Sequence, residues 1–227
     1  MELNEALRTT GAIREFTDEP VDDGTLARIL DTARFAPSGA NAQAWRVVVV
    51  KHAALRRRLR ELYATGMHDY LAMAAAGLRP WSPVNDRRAE ADAVAAADVA
   101  AAGAGLAAPI DEAPVVLAIY ADLSKLAAVD RDAHRYSFAG GASIYPFAWS
   151  VLLAARDEGL GGVITTMAIR EEPNVNALLG ATDPMALAAV IALGHPVRQP
   201  RRLRRSPINE FTRIDRVDGP TFGAPSD

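Results

Sequence analysis

Ser38, Asn41 and Gln43 sit close together in Ala36-Pro-Ser-Gly-Ala-Asn-Ala-Gln-Ala-Trp45, a stretch that runs straight into Val47-Val48-Val49-Val50. Short hydroxyl and amide groups beside glycine and alanine can donate and accept hydrogen bonds around a flat polar ligand while the backbone stays close to it. A serine-hydrolase reading of Ser38 fails on order. The nucleophile elbow runs from strand to helix with glycine two residues before the serine, whereas here Ala36 holds that place and the order is helix, loop, strand. Gly159-Leu160-Gly161-Gly162 reads first as a helix cap and tight turn into a strand, and allows close backbone approach to a flat ligand as well. Arg14 near one end and Arg204 and Arg205 near the other are ordinary surface charges taken singly. Arginines drawn from distant segments are also a usual way to hold a phosphate, because the guanidinium fork matches it in two places.

Other chemistries drop out. The chain has no cysteine, so thiolate metal sites, disulfides and cysteine nucleophiles are absent. His52, His68, His134 and His195 stand far apart, with no HExxH spacing, which disfavours a metal enzyme. A net charge of −3 gives no global field for nucleic acid, although all but two of the 25 basic residues are arginine. Gly103-Ala104-Gly105-Leu106-Ala107-Ala108 has the spacing of a dinucleotide fingerprint but follows a helical stretch where that motif needs a strand. Residues 1–5 lack the basic and apolar regions of a signal peptide, and no run approaches eighteen apolar residues, so a cytoplasmic protein with no membrane partner is expected.

The elements that would position these residues alternate along one domain, residues 1–227. Leu26, Ile29, Leu30 and Ala33 fall on one helical face in 22–34, with Asp22 or Asp23 as N-cap and Pro37 as the stop. The β-branched run 45–51 predicts a buried strand. Helical stretches follow at 54–77 and, on alanine content, at 86–108. Further strands are predicted at 113–123, 163–167 and 185–194, with helices at 144–158 and 171–179, the last closed by Gly180. Periodicity fades in 196–227, which reads as an arm that lies on a partner subunit.

The chain resembles the FMN-dependent nitroreductase family. Ala36 to Trp45 is similar to that family's APSxxNxQPW segment, and Ile13-Arg14-Glu15-Phe16-Thr17-Asp18-Glu19-Pro20-Val21 to its SIRxFxxxPV motif. Leu152 to Gly161 resembles its LLAAxxxGLG helix end, Ile191 to Pro196 its IxLGxP strand, and Arg204-Arg205-Ser206-Pro207 its C-terminal arginine motif. Five motifs in order cover nearly the whole chain. Departures are Thr10-Gly11-Ala12, where many members carry Arg-x-Ser, and Leu203, at a position that is often lysine.

The resemblance implies an α+β fold with a central mixed, mainly antiparallel sheet, flanking helices and an intertwined homodimer embraced by C-terminal arms. It implies FMN in the dimer interface, with Arg14 at the pyrimidine edge or phosphate region and Pro37, Ser38, Asn41 and Gln43 lining the flavin from the neighbouring subunit. The backbone of Thr165 and Thr166 would face flavin N5, and Arg204 and Arg205 would bind phosphate. No catalytic side chain or metal is implied, because flavin N5 carries the chemistry. The implied activity is ping-pong hydride transfer from NAD(P)H to a small, flat, electron-poor acceptor, a nitroaromatic or quinone. Alternatives are an FMN-dependent oxidase or dehydrogenase of a biosynthetic intermediate, and a flavin-binding protein without turnover.

Overall fold

The structure is a computed structural model, described for residues 1–97, 110–135 and 137–223. Every residue of strand β2 (Val115–Asp122) is buried, and the alternation of a strand's side chains divides them between two cores. Val115, Leu117, Ile119 and Ala121 face one; Val116, Ala118 and Tyr120 face the other. Beside β2 lies β4 (Met185–Gly194), with β1 (Trp45–Val49) and β3 (Gly161–Thr165) at the two edges, giving the order β1-β2-β4-β3. All three pairings are antiparallel. One parallel bridge, Ala12 to Gly162, lays the N-terminal segment along β3, so the sheet is mixed and mainly antiparallel. Where the β2–β4 register slips between Ile119 and Tyr120, the carbonyl of Ala188 accepts from the Tyr145 hydroxyl at 3.1 Å, so the irregularity leaves that acceptor satisfied.

Helices cover both faces, which makes the fold α+β in layers. On the first face lie α2 (Asp23–Ala33) and α5 (Tyr145–Asp157). The Asp22 carboxylate caps α2 by accepting from the Thr25 amide at 2.9 Å, and Leu26, Ile29 and Ala33 are buried as their spacing predicts. On the second face lie α3 (Ala53–Ala75) and α6 (Glu172–Leu179), the latter closed by Gly180 at φ +70°. Helices α1 (Leu3–Thr9), α4 (Arg87–Ala96) and α7 (Ile208–Phe211) are peripheral. Among the described residues no helix is long and apolar enough to cross a membrane.

Three expectations change. Strand β1 is an edge, with Arg46 exposed and its other residues half-buried, because among the described residues β2 is its only partner strand. Strand β3 begins at Gly161 instead of 163, since Gly161 and Gly162 pair with Gly194 and Leu193. A Cβ on Gly162 would lie 2.4 Å from Leu193 Cδ2, and one on Gly161 2.7 Å from Ile13 Cγ1. These glycines admit close approach of neighbouring protein side chains. Helix α4 ends at Ala96, with Ala97 extended as its C-cap; residues 98–108 of the expected 86–108 helix, including the Gly103 to Ala108 run, lie outside the described residues.

The arm first folds back on its own chain. The amide of Val197 donates to the Glu15 carbonyl at 3.1 Å, and that of Leu203 to the Arg8 carbonyl at 2.9 Å; between them the Gln199 side-chain amide donates to the Thr9 carbonyl at 2.8 Å. Beyond it, Ile208, Phe211, Ile214, Val217 and Phe222 are exposed.

Candidate functional site

A cavity of about 390 Å³ opens where the end of β3 meets α3, within the size range of ligand pockets. Helix α3 contributes Tyr63, Met67, Tyr70 and Leu71 to its wall, and β3 with the following turn contributes Val163, Ile164, Thr165, Thr166 and Met167. Tyr63, Met67 and Tyr70 share a helical face with Gly66. A Cβ on Gly66 would lie 2.3 Å from the Met167 carbonyl oxygen, so the missing side chain lets α3 sit directly on the turn after β3.

Arg14 reaches the same cavity from the N-terminal segment. Its neighbour Ile13 donates its amide to the Gly162 carbonyl at 2.9 Å, which fixes the segment against β3 and brings Arg14 to the strand's end. Among the described residues Arg14 has no carboxylate partner. Tyr63 is 2% exposed. Burial pushes its phenol up, while interaction with the Thr165 hydroxyl and the charge of Arg14 pull it back. The Thr165 hydroxyl also accepts from the Met167 amide at 3.4 Å.

Aromatic side chains stand at the rim. Tyr70 and Trp81 are 6.2 Å apart and tilted by 53°, and the Arg170 guanidinium lies 5.4 Å from the Trp81 ring centre. Asp69 Oδ2 is 3.9 Å from Arg170 Nε.

Pro37, Ser38, Asn41 and Gln43 are brought together with one another but not with Arg14, Thr165 and Thr166. Their loop enters β1 at Trp45, whereas Thr165 ends β3, and β2 and β4 stand between. Three strand spacings amount to about 14 Å. Within the loop Ala40, Asn41 and Gln43 take φ of 51°, 53° and 47°, a left-handed conformation that costs side-chain-bearing residues about 1 kcal/mol or more each. Hydrogen bonds hold it. The Ser38 hydroxyl accepts from the Gln43 amide at 3.0 Å, the Gln43 side-chain amide donates to Asn41 Oδ1 at 3.2 Å, and the Gly39 amide donates to the Ser143 hydroxyl at 3.0 Å. Trp45 stacks on Phe147 of α5 at 4.8 Å, anchoring the loop's far end.

Arg204 and Arg205 are exposed on the arm just past its bond to Arg8, and Arg205 Nη1 donates to the Arg204 carbonyl at 2.6 Å. Neither has a carboxylate partner among the described residues. Leu203 packs over Gly11, where a Cβ would lie 3.0 Å from Leu203 Cδ2. The buried hydroxyl of Thr10 has no hydrogen-bond partner there.

Neither Tyr63 nor the brace supplied by Ser143 is among the site residues named from the sequence above. The helical spacing of Leu59, Leu62, Tyr63, Gly66, Met67 and Tyr70 is the signal that would have found Tyr63. Nothing local marks Ser143, whose partner is 104 positions away.

A layered α+β sheet of this order, with a largely apolar cavity at one edge strand and Arg14 in the cavity wall, is the frame of the site. Residues 7–195 match the Nitroreductase family, and the chain belongs to it. An NADH dehydrogenase of Thermus thermophilus is 30% identical, over 87% of this chain and 88% of its own length. The NADPH:FMN oxidoreductase of Vibrio harveyi complexed with NAD+ shares the fold, with a TM-score of 0.66 over 94% of this chain and 76% of that one, at 21% identity. Oxidized iodotyrosine deiodinase bound to FMN and 3-iodo-L-tyrosine gives 0.64 over 91% and 96%, also at 21% identity.

Proposed function

We propose that the chain is an FMN-dependent oxidoreductase that draws on NAD(P)H and serves a small, flat, electron-poor acceptor such as a nitroaromatic or quinone. The observation that carries this reading is Arg14, a guanidinium without a carboxylate partner in the wall of a largely apolar cavity, beside Thr165 and Thr166. Positive charge so placed favours a ring that gains negative charge on reduction.

The residues present fit the cofactor. Met67, Leu71, Val163 and Ile164 give apolar walls to a ring system. Arg14 supplies charge at its edge, and the Thr165–Thr166 strand end supplies backbone groups and hydroxyls. Arg204 and Arg205 would take the phosphate, with Arg8 drawn into the same seam by the Leu203 amide. When bound, FMN supplies the redox step, taking a hydride from the nicotinamide and passing it to the acceptor in ping-pong order. Tyr70 and Trp81 would stack on a flat acceptor at the rim. The names of the Thermus relative and the Vibrio structure support the nicotinamide donor.

Pro37, Ser38, Asn41 and Gln43 would complete the site from a second copy. Both half-sites lie at the same end of the sheet but on opposite edges, so a two-fold dimer can bring one chain's loop to the other's cavity and form two equal sites. The exposed apolar residues of 208–222 would then be covered by the partner.

Purified protein tests this directly. A yellow preparation bleached by NADH or NADPH under nitrogen, and recoloured by a quinone, is the expected result. FMN that is bound but reduced by neither nucleotide would overturn the reductase reading, and protein with no affinity for FMN would overturn all of it.

A further inference from the structure

We infer that Arg170 determines specificity at the mouth of the cavity, and that the flat acceptor it selects carries a carboxylate on its ring. The inference rests on the FMN reading above and narrows it to a substrate class.

Arg170 is held at three points along its side chain. Its stem lies against the bare backbone of α3, where a Cβ on Gly66 would come within 3.3 Å of Arg170 Cγ. Asp69 Oδ2 stands 3.9 Å from Nε, and the guanidinium lies 5.4 Å from the Trp81 ring centre, within cation–π range. The Asp69 contact is longer than a hydrogen bond, and the other oxygen of that carboxylate is 3.5 Å from His68 Nδ1. Among the described residues the guanidinium makes no hydrogen bond. A rigid fork of N–H donors is thus fixed in place and left without an acceptor. The side chain is 53% exposed, so a ligand at the mouth can reach it.

Its position selects the ligand. Tyr70 lines the cavity and meets Trp81 at 6.2 Å, and Trp81 meets Arg170 in turn, so one aromatic ring separates the guanidinium from the cavity wall. Trp81 takes a φ of 49°, a costly conformation for a residue with a side chain. Its loop is tied down to hold it. The Asn85 side-chain amide donates to the Arg79 carbonyl and to Glu90 Oε1 on α4, both at 2.7 Å, and the Ser82 amide donates to the Arg79 carbonyl at 3.1 Å. A planar ring resting on Tyr70 and Trp81 would bring its own substituents to Arg170, whereas an anion on a long tether needs no such platform. A carboxylate presents two oxygens in one plane, which the guanidinium fork matches.

The test is calorimetric titration of FMN-loaded protein with 4-nitrobenzoate and 4-nitrobenzamide, which share the ring and nitro group and differ in charge. Wild type should bind the acid about 5- to 20-fold more tightly than the amide, a charge-assisted hydrogen bond discounted for exposure, and added salt should shrink the preference. Arg170→Gln, checked for fold by circular dichroism and for FMN content, should bring the acid-to-amide ratio close to one. Equal affinities in wild type would overturn the inference, as would a preference that survives in Arg170→Gln. Titration with NADP+ separates the other source of anions: weaker NADP+ binding in Arg170→Gln with an unaltered acid-to-amide ratio would give Arg170 to the nucleotide's phosphates and overturn the inference too. Should Arg170→Gln fail to fold, the wild-type ratio decides, and a preference indifferent to salt would count against it. Failure of wild type to bind FMN sinks the functional reading itself, an outcome separate from these.

Discussion

The amide of Gly39 donates to the hydroxyl of Ser143 across 3.0 Å and joins two loops that lie 104 positions apart. One is the loop of Ser38, Asn41 and Gln43, with three side-chain-bearing residues at positive φ. The other ends the turn Ala139–Ser143. That second turn is itself suspended from Asp130, whose carboxylate accepts from the Ser137 hydroxyl at 2.7 Å and from the amides of Phe138 and Ala139 at 2.7 and 3.2 Å. Support therefore passes from one buried-edge carboxylate through Ser143 to the loop that the proposed cofactor site needs.

Ser143→Ala removes the acceptor of the Gly39 amide. Global stability should fall by only about 0.5–1.5 kcal/mol, since the bond is near the surface. The loop loses more than the whole, because its left-handed residues depend on few contacts. FMN affinity is expected to drop about 2- to 10-fold, read by fluorescence titration beside a urea melt. Unaltered affinity with the expected small loss of stability would mean the loop does not need this brace.

Asp130 sets an acid limit on the same region. Its carboxyl is held far below the ordinary 3.8, first by the Ser137 hydroxyl and then by the Phe138 and Ala139 amides. A depressed carboxylate contributes stability that is fully present above the unfolded-state value and declines as pH falls through it toward the folded-state value. Urea midpoints of wild type should therefore fall more steeply below about pH 5 than those of Asp130→Asn, which has no such carboxylate to protonate. Parallel slopes for the two proteins would show that other carboxylates dominate acid unfolding.

Much of this organisation was legible in the residues. The spacing of Leu26, Ile29 and Ala33 marked α2 and its buried face, and 185–194 was bounded to the residue because an apolar run between Pro184 and His195 has clear ends. Edge and centre were not legible in Val47-Val48-Val49-Val50. A β-branched run reads as buried whether one or two neighbours pair with it, and only strand order makes β1 an edge. The glycines at 161 and 162 show a related limit: absence of a side chain signals close approach, but not whether Ile13, Leu193 or a ligand approaches. Arg14 and Thr165 were named from motifs, yet their convergence with Tyr63 depends on Gly66 seating α3, a contact between residues 101 positions apart in sequence. Local pattern carries no such information.

The two halves of the proposed site can be separated by mixing. If each site joins Arg14 of one chain to the loop of the other, a chain carrying Arg14→Ala keeps a sound loop, and a chain carrying Ser38→Ala and Asn41→Ala keeps a sound Arg14. Either variant alone builds two defective sites per dimer and should lose most of its FMN. In a mixed dimer one site collects both defects and the other collects none. Random assortment of equal amounts makes half the dimers mixed, so about a quarter of all sites should regain wild-type FMN affinity. Co-refolding the two variants and measuring bound FMN per chain checks this. Recovery would place the loop and the cavity on different subunits, the arrangement proposed above. No recovery, from variants that each fold and pair normally, would put both halves on one chain and exclude the arrangement proposed for Pro37, Ser38, Asn41 and Gln43.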